Sequence, residues 1–178
     1  MRLSDGFESR IVDFATPLYA SKDIMHDMTH IERVRRVALR MAERTRCDRQ
    51  MVSLVAYLHG VIWSHERQIR SLLDQHGLSD IDAERLINAA WESQKDHPAE
   101  TVEGQLLYDA HLLEGDENFI ITKTLVTGTA RGQSLAATVS YFEEHLGRHR
   151  CFFPENQGEY ERREWIASEY FSKLKDFL

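Results

Sequence analysis

Nine histidines occur in the chain, and three of them stand where a polar ring needs a partner. His59 lies four residues after Val55 and one after Leu58, on or beside the apolar stripe of a helix. His111 lies four residues after Leu107 and shares its inward face, with Asp109 in the same stretch placed to orient a neighbouring ring. His30 opens another helix, with Asp27 three residues earlier as its cap or as the partner of a ligand ring. A buried imidazole is costly unless a hydrogen bond or an ion satisfies it. Taken singly, each ring reads as a core or capping histidine. Inward histidines on separate helices can converge, which makes these three candidates for ligands, although spacing alone favours the core or capping reading. His76, His145 and His149 fall instead at exposed helix ends.

The elements that carry these rings are helical throughout. Apolar residues recur at helical spacing at Phe7, Ile11, Phe14 and Leu18, at Ile31, Val34, Val37, Ala38 and Met41, and at Met51, Leu54, Val55, Leu58 and Ile62. Ile69, Leu72 and Leu73 make a short fourth helix that stops near Gly77, and Ser79 with Asp82 forms a capping box opening a fifth through Trp91. Thr101 caps a sixth running to about Glu114, where Gly115 supplies a left-handed stop. Phe119 to Val126, then Leu135 to Leu146, then Trp165 to Leu174 complete the set, the last two separated by a loop holding Pro154 and Gly158. Strand alternation, internal repeats and linkers are absent from the sequence, so the expectation is an all-α chain forming one compact domain over residues 1–178.

Composition narrows the function classes. Hydrophobic residues at 42% and charged residues at 29% are ordinary globular usage. The net charge of -7, with basic residues scattered among acidic ones, argues against nucleic acid as a partner. Cys47 and Cys151 are far apart with no paired spacing, which fits a reducing, cytoplasmic setting. No apolar signal region opens the chain, and the most apolar run, residues 54–63, is too short to span a bilayer, so neither secretion nor membrane insertion is expected. The partner is then a small-molecule substrate; the sequence leaves the oligomeric state open.

Three segments follow in order: His-Asp-Met-Thr-His-Ile-Glu-Arg-Val at 26–34, Ala-Tyr-Leu-His-Gly-Val at 56–61, and Tyr-Asp-Ala-His-Leu-Leu-Glu at 108–114. This order resembles the HD-domain superfamily of metal-dependent phosphohydrolases, with its DxxHxxRV, LLHD and DADxLD segments. The tail, Thr-Gly-Thr-Ala-Arg-Gly at 127–132 and Thr-Val-Ser-Tyr-Phe at 138–142, is similar to the small bacterial branch, so the likeness covers roughly residues 20–178. The resemblance implies an HD-like helical bundle, a hydrolase, and metal held by histidines and aspartates. Two positions depart from it: Gly60 stands where the HD aspartate belongs, and His111 stands where the second aspartate of DADxLD belongs. The region 89–94 supplies none of the extra histidines that two-metal members use.

Three readings follow. In the first, His30, His59 and His111 hold a single ion. Without the two carboxylates the donor set favours Zn, Fe, Co or Ni over Mg or Mn. Asp27 and Asp109 orient ligand rings, and Lys95, Lys123 or Arg131 steadies substrate charge. The second has no metal: His59, His111, His65 or Glu66 acts as general acid and base against an apolar wall of Tyr57 and Trp63. The third is a non-catalytic binding protein on the same scaffold.

Overall fold

The computed structural model describes residues 6–94 and 96–178; Lys95, one of the candidate substrate-binding residues, lies outside the described residues. Along them run nine α-helices and no strand: α1 (Phe7–Tyr19), α2 (Met28–Met41), α3 (Arg49–Leu58), α4 (Ile62–Gln75), α5 (Asp80–Glu92), α6 (Val102–Leu112), α7 (Glu117–Ala130), α8 (Leu135–His145) and α9 (Pro154–Leu174). A 3-10 turn, Lys175–Phe177, closes the chain. None of the helices is long and apolar enough to cross a membrane.

Short polar side chains start most of these helices by accepting from otherwise orphaned amides. Asp27 accepts from the Thr29 and His30 amides at the start of α2, and Asp48 does the same for Gln50 and Met51 at α3. Ser79, Thr101, Asp116 and Ser134 cap α5, α6, α7 and α8. Ser79 accepts from the Asp82 amide and its hydroxyl donates to the Asp82 carboxylate, so the expected cap forms without the reciprocal amide bond of a full capping box among the described bonds.

Between the caps, α2, α3 and α6 form the centre. Ile31, Val34 and Ala38 meet Leu54, Val55, Leu58, Leu106, Leu107 and Ala110, all excluded from solvent, with α1 against α3 and α5 against both α3 and α6. Each fully buried leucine or isoleucine there contributes about 1.5–3 kcal/mol. The last three helices pack mainly on one another: α7 lies against α8 and α9, and Phe142 meets Phe171 at 4.6 Å between ring centroids.

Four boundaries differ from the sequence expectation. The third apolar stripe does not run unbroken to Ile62. The Gly60 amide donates to the Tyr19 hydroxyl at 2.9 Å instead of to the preceding turn, so α3 ends at Leu58 and α4 begins at Ile62. Gly115 is not a left-handed stop, since positive φ occurs at Gly6, Gly77, Gly132 and Gly147; a side chain at 115 would fall on the Phe119 ring, so close approach is its role. The last helix starts at Pro154, not near Trp165, because Pro at the first helical position loses no hydrogen bond and Gly158 is carried inside. Finally, α7 extends at both ends of the expected Phe119 to Val126.

Candidate metal centre

The break after α3 is what turns His59 into a site residue. As the C-cap of that helix it sits on the turn leading to Gly60, yet it stays almost entirely buried. Its ring meets those of His30 on α2 and His111 on α6: centroids lie 4.6 Å apart for His59 and His111, 5.3 Å for His30 and His111, and 5.9 Å for His30 and His59. One ring nitrogen from each of the three lies within 4.8 Å of the other two.

The outer nitrogens of two rings are committed, which sets their tautomers. Ser93 donates its hydroxyl to the Ala90 carbonyl at 2.6 Å and is therefore left to accept from His59 Nδ1 at 2.8 Å. His30 Nδ1 donates to Glu114 Oε2 at 2.6 Å. In both rings Nε2 keeps its lone pair, the arrangement in which a carboxylate or hydroxyl behind the ring fixes it as a ligand. Burial holds both imidazoles neutral, pushing His30 down from its ordinary value and His59 down to about 3, with His30 and Lys123 adding to the effect on His59.

Glu114 joins this centre to α7. Burial alone raises its carboxyl, but the His30 hydrogen bond and the Lys123 ammonium outweigh it and hold it down at about 2. Lys123 donates to Glu114 Oε1 and lies 3.5 Å from His111 Nε2. Arg33 Nε is 3.6 Å from the same carboxylate and its guanidinium lies over the Phe119 ring.

At position 60 two other groups stand in the region a side chain would enter. A Cβ on Gly60 would lie 3.0 Å from Tyr19 Cε1 and Oη and 3.2 Å from Lys22 Nζ. The Lys22 ammonium donates to the Gly60 carbonyl at 2.7 Å, and burial lowers its pKa. Where the resemblance places an aspartate, this chain has a tyrosine hydroxyl and an ammonium.

A cavity of about 550 Å³ opens beside His111, Glu114 and Lys123 and extends between α7 and α8 to Arg131, Tyr141 and His145. Of the residues named from sequence, the structure thus brings together His30, His59, His111 and Lys123, and places Arg131 farther along the same cavity. The rest fall elsewhere. Asp109 orients no histidine: it is fully buried and accepts from the Phe152 amide at 2.8 Å, the Phe153 amide at 3.1 Å and Asn156 Nδ2 at 2.9 Å, pinning the start of α9. Asp27 is spent on the α2 cap and on the Thr29 hydroxyl. Tyr57 turns its hydroxyl to Glu32, Trp63 is 66% exposed, His65 bonds Ser64, and Glu66 is held by Arg70 and Trp91. None of these last four lines the cavity.

Glu114, Ser93 and Lys22 were not singled out from sequence. Glu114 carried a signal, lying three residues past His111 on the same helical side and ending the Tyr108 to Glu114 segment. Ser93 and Lys22 carried none.

Neither a family model nor a curated protein sequence matches this chain. Solved structures do. Bacillus subtilis YpgQ in complex with ADP is 21% identical, with a TM-score of 0.76 over 96% of this chain and 97% of that one. A Lactobacillus plantarum protein is 17% identical with a TM-score of 0.84, covering 98% of both chains. An HD-superfamily hydrolase from Bacillus thuringiensis is 19% identical with a TM-score of 0.71, over 96% of this chain and 95% of that one. The chain has the HD-domain-like fold. Its chemistry has to be argued from its own residues.

Proposed function

We propose that the protein is a cytoplasmic hydrolase of small phosphorylated metabolites, working at a mononuclear centre of His30, His59 and His111. The observation that carries this is the convergence of three ring nitrogens within 4.8 Å, two of the rings having their far nitrogens already occupied by Glu114 and Ser93. Such a set fits a transition ion. Imidazole donors without a carboxylate favour Zn, Fe, Co or Ni over Mg or Mn. A bound ion supplies Lewis-acid polarisation of a phosphoryl oxygen and a water whose pKa falls toward roughly 7.

The chain's own residues do the rest. Lys123, at the cavity wall beside His111, balances charge on the phosphoryl oxygens. Glu114 anchors that ammonium while holding the His30 ring, so substrate contact and ring orientation share one carboxylate. The buried surroundings of His59 exclude water from behind the site and keep its ring neutral.

The contact of Lys123 with His111 also supports a second reading without metal, in which His111 moves a proton while Lys123 holds the substrate anion. Metal analysis of protein purified without chelator separates the two. About one equivalent of transition metal per chain, lost in His59→Ala, is expected. A trace amount unchanged by that substitution, with turnover indifferent to EDTA, would leave the metal-free chemistry standing instead.

A further inference from the structure

The cavity does not end at the histidines. Lys123, Thr124, Thr127, Gly128 and Arg131 all line it, at the spacing of a single face of α7. From Lys123 to Arg131 is eight residues, so the backbone that carries the guanidinium lies about 12 Å farther along the helix axis. Thr138, Tyr141, Phe142 and His145 recur at helical spacing on α8 and make the facing wall.

At this far end the side chains are stacked and cationic. Tyr141 lies on His145 with centroids 4.0 Å apart and planes 24° apart, and the Arg131 guanidinium carbon is 5.1 Å from the Tyr141 centroid. A guanidinium laid against a ring keeps its in-plane donors for an anion. Arg148, whose amide donates to the His145 carbonyl at 3.3 Å, also lines the cavity. Among the described residues neither Arg131 nor Arg148 has a carboxylate partner, in a chain whose net charge is -7. The acids of the lining are Glu114, Glu164 and Asp96. Lys123 and His30 engage Glu114, the Tyr160 hydroxyl and the Gly147 amide engage Glu164, and Asp96 is exposed.

We propose that Arg131 and Arg148 form a second anion subsite, so that the substrate is an elongated metabolite with two anionic groups, one at Lys123 and one about 12 Å away along α7. The assignment of the reacting end rests on the hydrolytic reading above; the second subsite rests on the cavity wall alone. A volume of about 550 Å³ accommodates a molecule of that length. Tethering the second anion to the first makes its binding intramolecular, which strengthens the whole without altering the contacts at Lys123.

Calorimetric titration with hexanediol bisphosphate and hexyl monophosphate tests this, with metal content read on the same preparations. The bisphosphate is expected to bind about tenfold or more tightly than the monophosphate. In the Arg131→Gln, Arg148→Gln double variant that advantage should vanish while the monophosphate affinity stays unchanged. Equal affinities in the wild type, no binding of the bisphosphate, or an advantage that survives the double substitution would each overturn the proposal. A metal-free preparation that keeps the advantage removes the metal centre and retains the subsite; a metal-loaded one without it does the reverse.

Discussion

Gly60 is the residue through which the histidine centre departs furthest from a carboxylate-bearing site. A side chain there meets the Tyr19 ring, itself 1% exposed, and the Lys22 ammonium. Gly60→Asp is therefore expected to lower stability by about 1–3 kcal/mol in urea denaturation, because a buried ring must shift to admit it. The new carboxylate would pair with Lys22, so Mn binding should rise only when Lys22→Ala is added; a double variant that binds Mn no better than wild type would refute this. At this scale the sequence was legible in part. The inward positions of His59 and His111 follow from helical spacing against Val55 and Leu107, and His30 was readable as the opening of its helix. The groups that engage them do not. Ser93 and Lys22 reach His59 and Gly60 only because α5 and the segment after α1 pack against the end of α3.

Among the elements, α9 is tied to the bundle by a carboxylate first read as an orienting group. Asp109 accepts from two amides at 152 and 153 and from Asn156. Removing it strands several donors together, and Asp109→Ala is expected to cost on the order of 3 kcal/mol in urea denaturation while leaving metal stoichiometry at the histidines intact. Loss of metal with unchanged stability would return Asp109 to the site. Helix identity was readable here because caps such as Ser79 and Thr101 have local chemistry. The break at Gly60 was not, since it depends on the Tyr19 hydroxyl taking an amide that a helix would otherwise use. Position 109 sits on the same α6 face as the core, so spacing alone could not distinguish a pin for α9 from a partner for a histidine.

For the molecule as a whole, the buried centre makes stability depend on pH. His59 is held down to about 3 against an ordinary 6.5, so as pH falls through 6.5 the unfolded chain takes up a proton that the folded chain refuses. Stability of the metal-free protein is expected to be fully present above 6.5 and to decline from there toward about 3. Glu114, held at about 2 against 4.5, adds a further loss as pH falls from 4.5 toward 2. Urea midpoints across this range should show both stages, and His59→Gln should shrink the upper one to the part that the likewise depressed His30 supplies; an unaltered upper stage in that variant would place its origin elsewhere. The three histidines all belong to the first six helices, whereas Lys123, Arg131, Tyr141 and His145 come from α7 and α8, which contribute nothing to the main apolar core. Lys123 is tied to the rings through Glu114, but substitutions at the other α7 and α8 positions of the lining can reshape the cavity without touching a group that holds a histidine, so on the proposed function ligand preference is free to drift across descendants while the histidine centre is inherited intact.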